Sequence, residues 1–228
     1  MTDGPPSGPG GRESTTHPNH AGAIGPGAAV SAGMVVFALA AHAHFPLFLV
    51  ALAGLALTAT ALASSLTDAL SRRPLFGLTG FSREVGGWMV AGVVLGIALA
   101  FMLRFTSNQS LLLAGLEPFV LTAMAIGAME ELLFRGFIQG RFATLGWWAA
   151  ISLAALAHTA YKVALFTFPP GAVEVRLDIL GFFTFVVGLL MGLMRHRSGS
   201  VLPPLAAHVA FDVFVYGDWV AAPWWIWS

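Results

Sequence analysis

The chain has 228 residues, of which 57% are hydrophobic and only 10% are charged. Soluble domains carry roughly 25% charged residues, so this composition excludes an ordinary soluble domain and indicates a polytopic membrane protein. The net charge at pH 7 is zero and the sequence contains no cysteine, which argues against a nucleic-acid partner and excludes disulfides and a cysteine nucleophile.

The chain begins with a polar segment rich in glycine and proline, residues 1–23, which predicts a disordered tail. Residues 24–228 predict one all-α transmembrane helical bundle of about seven or eight spans. The tryptophan-rich segment 219–227 is either a short eighth span or an aromatic anchor at the membrane interface. The apolar stretches that predict the other spans lie at 27–42, 46–66, 87–103, 119–139, 147–166, 179–194 and 201–217.

Arginine placement predicts the orientation of these spans. The segments 67–86, 140–146 and 195–200 carry three, one and two arginines, and alternating spans put all three segments on one side of the membrane. The positive-inside rule makes that side cytoplasmic, together with the N-terminal tail. A composition rich in alanine and glycine fits a bacterial source, so we expect a multi-pass protein of the inner membrane. Residues 195–199 are predicted to form a tight basic turn.

Ionisable residues inside apolar spans cost roughly 2.5–3.5 kcal/mol each on insertion scales and are usually functional. A rise of ~1.5 Å per residue from the presumed cytoplasmic ends places four of them, on three different spans, at depths between about 10 and 16 Å. This common depth predicts one shared site. The four residues are Glu130, His158, His208 and Asp212.

The spacing of residues along the helices predicts how the site is arranged. Glu131 and Arg135 are separated by four positions, which is the spacing of an ion pair on one helix face. Glu130 is rotated by about 100° from Glu131 and is predicted to remain free for chemistry. His208 and Asp212 have the same four-residue separation and therefore point to the same side of their helix.

Two chemistries suit these residues. In the first, Glu130 and His158 act as a general base on water, while His208 and Asp212 stabilise an oxyanion. In the second, all four side chains are ligands of a divalent metal such as zinc, and the metal activates the water. The residues alone leave both chemistries open.

The pattern resembles the CAAX-protease and bacteriocin-processing (CPBP, or Abi) family of intramembrane proteases. Its first motif, Glu-Glu-x-x-x-Arg, here begins at Glu130. Its second motif ends in a histidine, here His158, although Ala154 stands where the family usually has phenylalanine. The last motif is His-x-x-x-Asn or His-x-x-x-Asp, here beginning at His208, and residues 188–200 are similar to the family's lead-in to that histidine.

The resemblance covers about residues 119–217 and implies an all-helical intramembrane protease. It implies that Glu130 and His158 activate water and that His208 and residue 212 serve the oxyanion. An ionised Asp212 accepts hydrogen bonds where asparagine can donate them, so Asp212 is either protonated, or orients His208, or ligates a metal. The family has been described both as metalloproteases and as glutamate-type proteases, and this sequence leaves both types open.

The leading hypothesis is an intramembrane endopeptidase that cleaves a membrane-associated peptide or protein at or near the cytoplasmic face. A second hypothesis is a non-catalytic scaffold or immunity protein that retains the site. A proton- or cation-coupled transporter would also use buried Glu, His and Asp side chains. Such transporters often carry internal repeats, and the first half of the chain has no second Glu-Glu-x-x-x-Arg pattern, which counts against the transporter.

Overall fold

The computed structural model describes residues 20–42, 75–169 and 174–221, together with parts of 49–63. The described parts of 49–63 are residues 49, 52–54, 56, 57, 59, 60 and 63. Every regular element within the described residues is helical, which confirms the predicted all-α class. The predicted tail up to residue 19, most of the predicted span 46–66 and the terminal residues 222–228 lie outside the described residues.

In the part of the chain that the structure describes, a π-helical segment, Leu132–Ile138, joins the third α-helix to the fourth, and a 3-10 turn, Ala143–Leu145, follows the fourth. Helix α1 begins at His20, so its first turn overlaps the end of the segment predicted as a tail. The α-helices whose bounds lie within the described residues are α1 (His20–His42), α2 (Arg83–Thr106), α3 (Phe119–Glu131), α4 (Gln139–Phe142), α5 (Trp147–Leu165), α6 (Leu177–Ser198) and α7 (Leu202–Tyr216).

Four of these helices are long and apolar enough to cross a membrane: α1, α2, α5 and α6. Helix α7 is apolar but has only 15 residues. The helical run that begins with α3 is divided by the π-helical segment. The structure therefore supports four of the predicted spans, and the total of about seven or eight remains a prediction.

Helix α6 is longer than the sequence predicted. It continues through Arg195 and His196 to Ser198, where a tight basic turn was expected, and Gly199 then ends it with a left-handed φ of 66°. Basic side chains in the last turn interact favourably with the carbonyl end of a helix, and glycine adopts the left-handed conformation without steric cost. The basic residues therefore extend the helix instead of interrupting it.

The arginine-bearing segments meet at one end of the bundle. Arg195 Nη2 donates to the Leu75 carbonyl oxygen at 2.9 Å. The Val201 amide donates to the Gly77 carbonyl oxygen, also at 2.9 Å. The segment before α2 and the turn before α7 are thus held together, as alternating spans predict.

An ion pair closes the opposite end. Arg104, buried near the end of α2, donates to both carboxylate oxygens of Asp218 at 2.8 and 3.0 Å and to the Phe214 carbonyl oxygen at 3.0 Å. These hydrogen bonds to Arg104 lower the pKa of Asp218, which lies just beyond α7. The pair ties the far end of α7 to α2.

An apolar core lies between α1, the π-helical segment and α5. Phe134, Phe137 and Ile138 of the π-helical segment are fully buried there, against Val30 of α1 and Tyr161 of α5. This core fixes one side of the segment that carries the acidic motif.

Glycines one turn apart allow α2 and α7 to pack closely. A Cβ atom on Gly96 would overlap the carbonyl oxygen of Ala207, and one on Gly92 would overlap that of Pro203. Small residues four positions apart are a common means of close helix contact in membranes, where van der Waals packing is a main driving force for association.

A second glycine pair brings α6 close to α5. A Cβ atom on Gly188 would lie 3.0 Å from the Ala155 Cβ atom, and one on Gly192 would lie 2.9 Å from a side-chain methyl of Ile151. The contact at Gly188 borders the acidic motif, because the same Cβ atom would lie 3.4 Å from Arg135 Nη2.

The close contact at Gly96 predicts a selective loss of stability. Gly96→Val should lower the free energy of unfolding by about 1–3 kcal/mol, because the new side chain forces α2 away from α7. Thermal unfolding of the purified protein in detergent measures this. Gly87→Val on the same helix is the matched control, since a Cβ atom there meets nothing within 4 Å. Equal changes in Tm for both variants would contradict the packing argument.

Candidate active site

The buried polar side chains meet where the end of α3, the middle of α5 and the middle of α7 come together. Glu130 and Glu131 are the last residues of α3, and Arg135 follows in the π-helical segment. These three side chains are buried, as are His158 on α5 and Asp212 on α7. His208, also on α7, is slightly more accessible, at 12% exposure of its side chain.

Glu130 is held from one helix through both of its oxygens. His158 Nε2 lies 3.1 Å from Glu130 Oε2. Lys162 Nζ, one turn further along α5, lies 2.6 Å from Glu130 Oε1. The sequence paired Glu130 with His158 and did not predict the second partner, Lys162.

Glu131 and Arg135 form a buried ion pair, with Arg135 Nη1 donating to Glu131 Oε1 at 2.9 Å. Each partner also contacts one of the histidines. Arg135 Nη1 lies 3.0 Å from His158 Nδ1, and His208 Nδ1 lies 2.8 Å from Glu131 Oε1. One ion pair therefore contacts both imidazole rings.

These partners define the protons on the two imidazoles. A guanidinium only donates hydrogen bonds, so His158 Nδ1 accepts from Arg135, and His158 Nε2 carries the proton that Glu130 accepts. A carboxylate only accepts, so His208 Nδ1 carries a proton that it donates to Glu131.

The free edge of His208 faces two carboxylates. His208 Nε2 lies 3.9 Å from Glu130 Oε2 and 4.0 Å from Asp212 Oδ1, beyond a direct hydrogen bond in both cases. The other oxygen of Asp212, Oδ2, is buried and has no hydrogen-bond partner among the described residues. Glu130 and Asp212 thus flank one nitrogen, which puts all three groups within reach of a single small ligand.

Gly127 allows α3 and α7 to approach each other at the site. A Cβ atom at this position would overlap Asp212 Oδ2 and would lie 2.9 Å from the Cδ2 atom of the His208 ring. Gly127 precedes Glu130 by about one helical turn, so the close approach occurs at the level of the acidic motif. The missing side chain therefore determines how near His208 comes to Glu130.

Phe134 packs against the His158 ring, with ring centroids 4.6 Å apart. The family that the motifs resemble usually has phenylalanine at position 154, where this chain has a buried alanine. The structure places a phenylalanine of the π-helical segment against the histidine. Single π-helical turns occur frequently at functional sites, and this one had no signal in the hydrophobic pattern.

Lys162 is the site residue that the sequence analysis missed. It lies inside the span predicted at 147–166, and its ammonium forms the shortest polar contact of Glu130. A signal was present, because Lys162 follows His158 by four positions and so lies on the same face of α5. The lysine was overlooked because it lies near the end of the predicted span, where lysine commonly reaches the interface.

The residues, as they are arranged, do not fit a metal centre. A zinc ion needs donor lone pairs directed at it from about 2.0–2.2 Å. Here the Arg135 guanidinium contacts His158 and the Lys162 ammonium contacts Glu130, and both fixed cations repel a dication. Among the residues that the structure describes, no group of three or more His, Cys, Asp or Glu side chains is arranged to hold a metal ion.

Four helices long and apolar enough to cross a membrane indicate an integral membrane protein, and Glu, His, Arg and Asp side chains are buried between its helices. Residues 114–214 match the sequence profile of the family described as type II CAAX prenyl endopeptidase Rce1-like. The match supports assignment of the chain to the CAAX-protease family and confirms the resemblance that the three motifs predicted. No curated protein and no solved structure matches the chain.

The buried ion pair predicts a large loss of stability when one partner is removed. Arg135→Met should cost about 3–5 kcal/mol of unfolding free energy, because it leaves the Glu131 carboxylate buried without its cation. Arg176→Met is the matched control, since Arg176 pairs with Asp178 where both side chains are largely exposed, at 71% and 66%. Thermal unfolding in detergent should show a lower Tm for the first variant alone. A Tm for Arg135→Met equal to that of the control would contradict a stabilising role of the buried Glu131–Arg135 ion pair.

Proposed function

We propose that the protein is an intramembrane endopeptidase of the glutamate type, which hydrolyses a peptide bond of a membrane-associated peptide or protein. The family match supports the protease class. The observation that carries the mechanism is the placement of Glu130 Oε2, which accepts from His158 at 3.1 Å and faces His208 Nε2 at 3.9 Å. A carboxylate held by one imidazole and facing a second is suited to general base catalysis on water.

In the proposed first step, Glu130 Oε2 removes a proton from a water molecule. The water oxygen forms a bond to the carbonyl carbon of the substrate, and the carbonyl π electrons move to its oxygen. The Nε2–H of His158 donates to Glu130 and holds the carboxylate in place, while Lys162 holds the other oxygen. A water in contact with Glu130 Oε2 and His208 Nε2 fits their 3.9 Å separation at ordinary hydrogen-bond lengths.

In the proposed second step, a protonated His208 stabilises the developing oxyanion through its Nε2–H group. Its Nδ1–H is bound to Glu131, which fixes the ring and favours its positive charge. The tetrahedral intermediate then reforms the carbonyl group as the C–N bond breaks, and Glu130 returns its proton to the leaving amine. The Arg135 contact to His158 and the Glu131 contact to His208 keep both rings oriented throughout.

Substitution of the site residues tests this function. Glu130→Gln and His208→Ala should lower cleavage by about 10²–10⁴-fold, because they remove the base and the oxyanion donor. The assay follows a quenched fluorogenic peptide with a prenylated Cys-aliphatic-aliphatic-X C-terminus in proteoliposomes, and an unprenylated form of the same peptide. Glu84→Gln, at the exposed start of α2, is the matched control and should retain wild-type cleavage.

Two results would count against the proposal. Full cleavage by a folded Glu130→Gln variant would exclude Glu130 as the base. A wild-type protein that cleaves neither peptide, together with a cellular phenotype that survives Glu130→Gln and His158→Ala, would favour the non-catalytic scaffold.

The positive charges at the site also predict that cleavage does not depend on a metal. Treatment with EDTA or 1,10-phenanthroline should change the rate by less than about two-fold, because the proposed base and oxyanion donor are side chains. Metal analysis of the active protein should find zinc well below one equivalent. Loss of cleavage on chelation that returns with added zinc would support the metal-dependent alternative.

A further inference from the structure

Lys162 occupies an unusual position for a lysine in an apolar helix. Its side chain is only 18% exposed, and its ammonium lies 2.6 Å from Glu130 Oε1. It follows His158 by one helical turn, so one face of α5 presents a lysine and a histidine to the same carboxylate. The mechanism proposed above uses the ammonium only as a contact to Glu130 Oε1 and assigns no role to its charge.

The first consequence concerns the two oxygens of Glu130. Lys162 binds Oε1 and His158 binds Oε2, so the carboxylate cannot rotate without breaking both contacts. Oε2 is the oxygen that also faces His208 Nε2. Lys162 thereby selects which oxygen of Glu130 faces the reacting water.

The second consequence concerns charge. Within the described residues, three carboxylates meet at this site, those of Glu130, Glu131 and Asp212, against two basic side chains, Arg135 and Lys162. A protonated His208 would bring the total to zero, which an apolar surrounding favours. Without Lys162 the same set would carry an excess negative charge and would gain a proton at one of its carboxylates.

We propose that Lys162 is a positioning residue that holds Glu130 by Oε1 and supplies the charge that allows Glu130 and Asp212 to be ionised together. This inference rests on the proposed peptidase function and adds to it a residue outside the three motifs. Lys162 acts through Glu130 and Asp212, so the cost of losing it depends on the charge at residue 212.

Three variants separate the effect of the charge of Lys162 from the effect of its hydrogen bond. Lys162→Gln keeps a donor for Glu130 but removes the charge, and it should lower kcat by about 100-fold with little change in KM. Lys162→Arg keeps both and should retain most of the activity. The double variant Lys162→Gln/Asp212→Asn removes one charge of each sign and should recover about ten-fold over Lys162→Gln.

The recovery of kcat in the double variant distinguishes a positioning role of Lys162 from a role in helix packing. Asp212 lies on α7, and its neutralisation would not repair a packing defect on α5. Wild-type kcat in Lys162→Gln would overturn the proposal. A double variant no faster than Lys162→Gln would also overturn it. Elution in gel filtration and the Tm of each variant show whether the protein is folded.

A wild-type protein without cleavage would overturn the peptidase function but would still allow the charge pairing to be tested. In that case the wild-type protein, Lys162→Gln, Asp212→Asn and the double variant form a double-mutant cycle and are compared by Tm in detergent. Lys162→Gln should lower the Tm, and added Asp212→Asn should restore part of the loss. Additive losses would refute the pairing whatever the activity of the protein.

Discussion

The buried ion pair between Glu131 and Arg135 is the interaction on which the arrangement of the site depends. Burying two charges costs more than their mutual attraction returns unless further hydrogen bonds satisfy both groups. Here the further partners are the two histidines, since Arg135 contacts His158 at 3.0 Å and His208 contacts Glu131 at 2.8 Å. The two histidines therefore satisfy the buried pair, and the pair in turn determines which nitrogen of each imidazole carries the proton. Glu130, the neighbouring residue on α3, then meets His158 through the nitrogen that Arg135 leaves available.

This arrangement requires three helical segments at short distances, and the backbone provides them through small residues. Gly127 lets α7 approach the end of α3, while Gly188 lets α6 approach α5 and the Arg135 guanidinium. The π-helical segment places Phe134 against the His158 ring and buries Phe137 in the core with α1. Close packing excludes water, and in such a setting fixed dipoles and charges act more strongly than they do in solvent.

The sequence predicted much of this fold because hydropathy and the cost of buried charge are strong local signals. The described helices α1, α2, α5, α6 and α7 lie where the apolar stretches place them, and the acidic motif, His158 and His208 meet at one site. The π-helical segment and the helix contacts at glycine were not predictable, since they depend on how helices pack rather than on the order of apolar residues. The predicted basic turn is instead the last turn of α6, because basic side chains stabilise a helix C-terminus. The contact between Lys162 and Glu130 was not predictable from the pattern, because a lysine near the end of a span commonly reaches the interface.

The geometry also bears on two of the roles that the sequence left open for Asp212, orientation of His208 and metal ligation. His208 is already oriented through Nδ1 by Glu131, so an aspartate facing the opposite nitrogen at 4.0 Å is not needed to fix the ring. The nearby ammonium and guanidinium groups disfavour metal ligation. What Asp212 can do from this position is to favour positive charge on His208, because it faces the nitrogen that gains the second proton. In the proposed mechanism that proton is the one directed at the oxyanion. An aspartate at position 212 then assists His208 as the hydrogen-bond donor to the oxyanion, whereas an asparagine at this position could donate a hydrogen bond to the oxyanion itself.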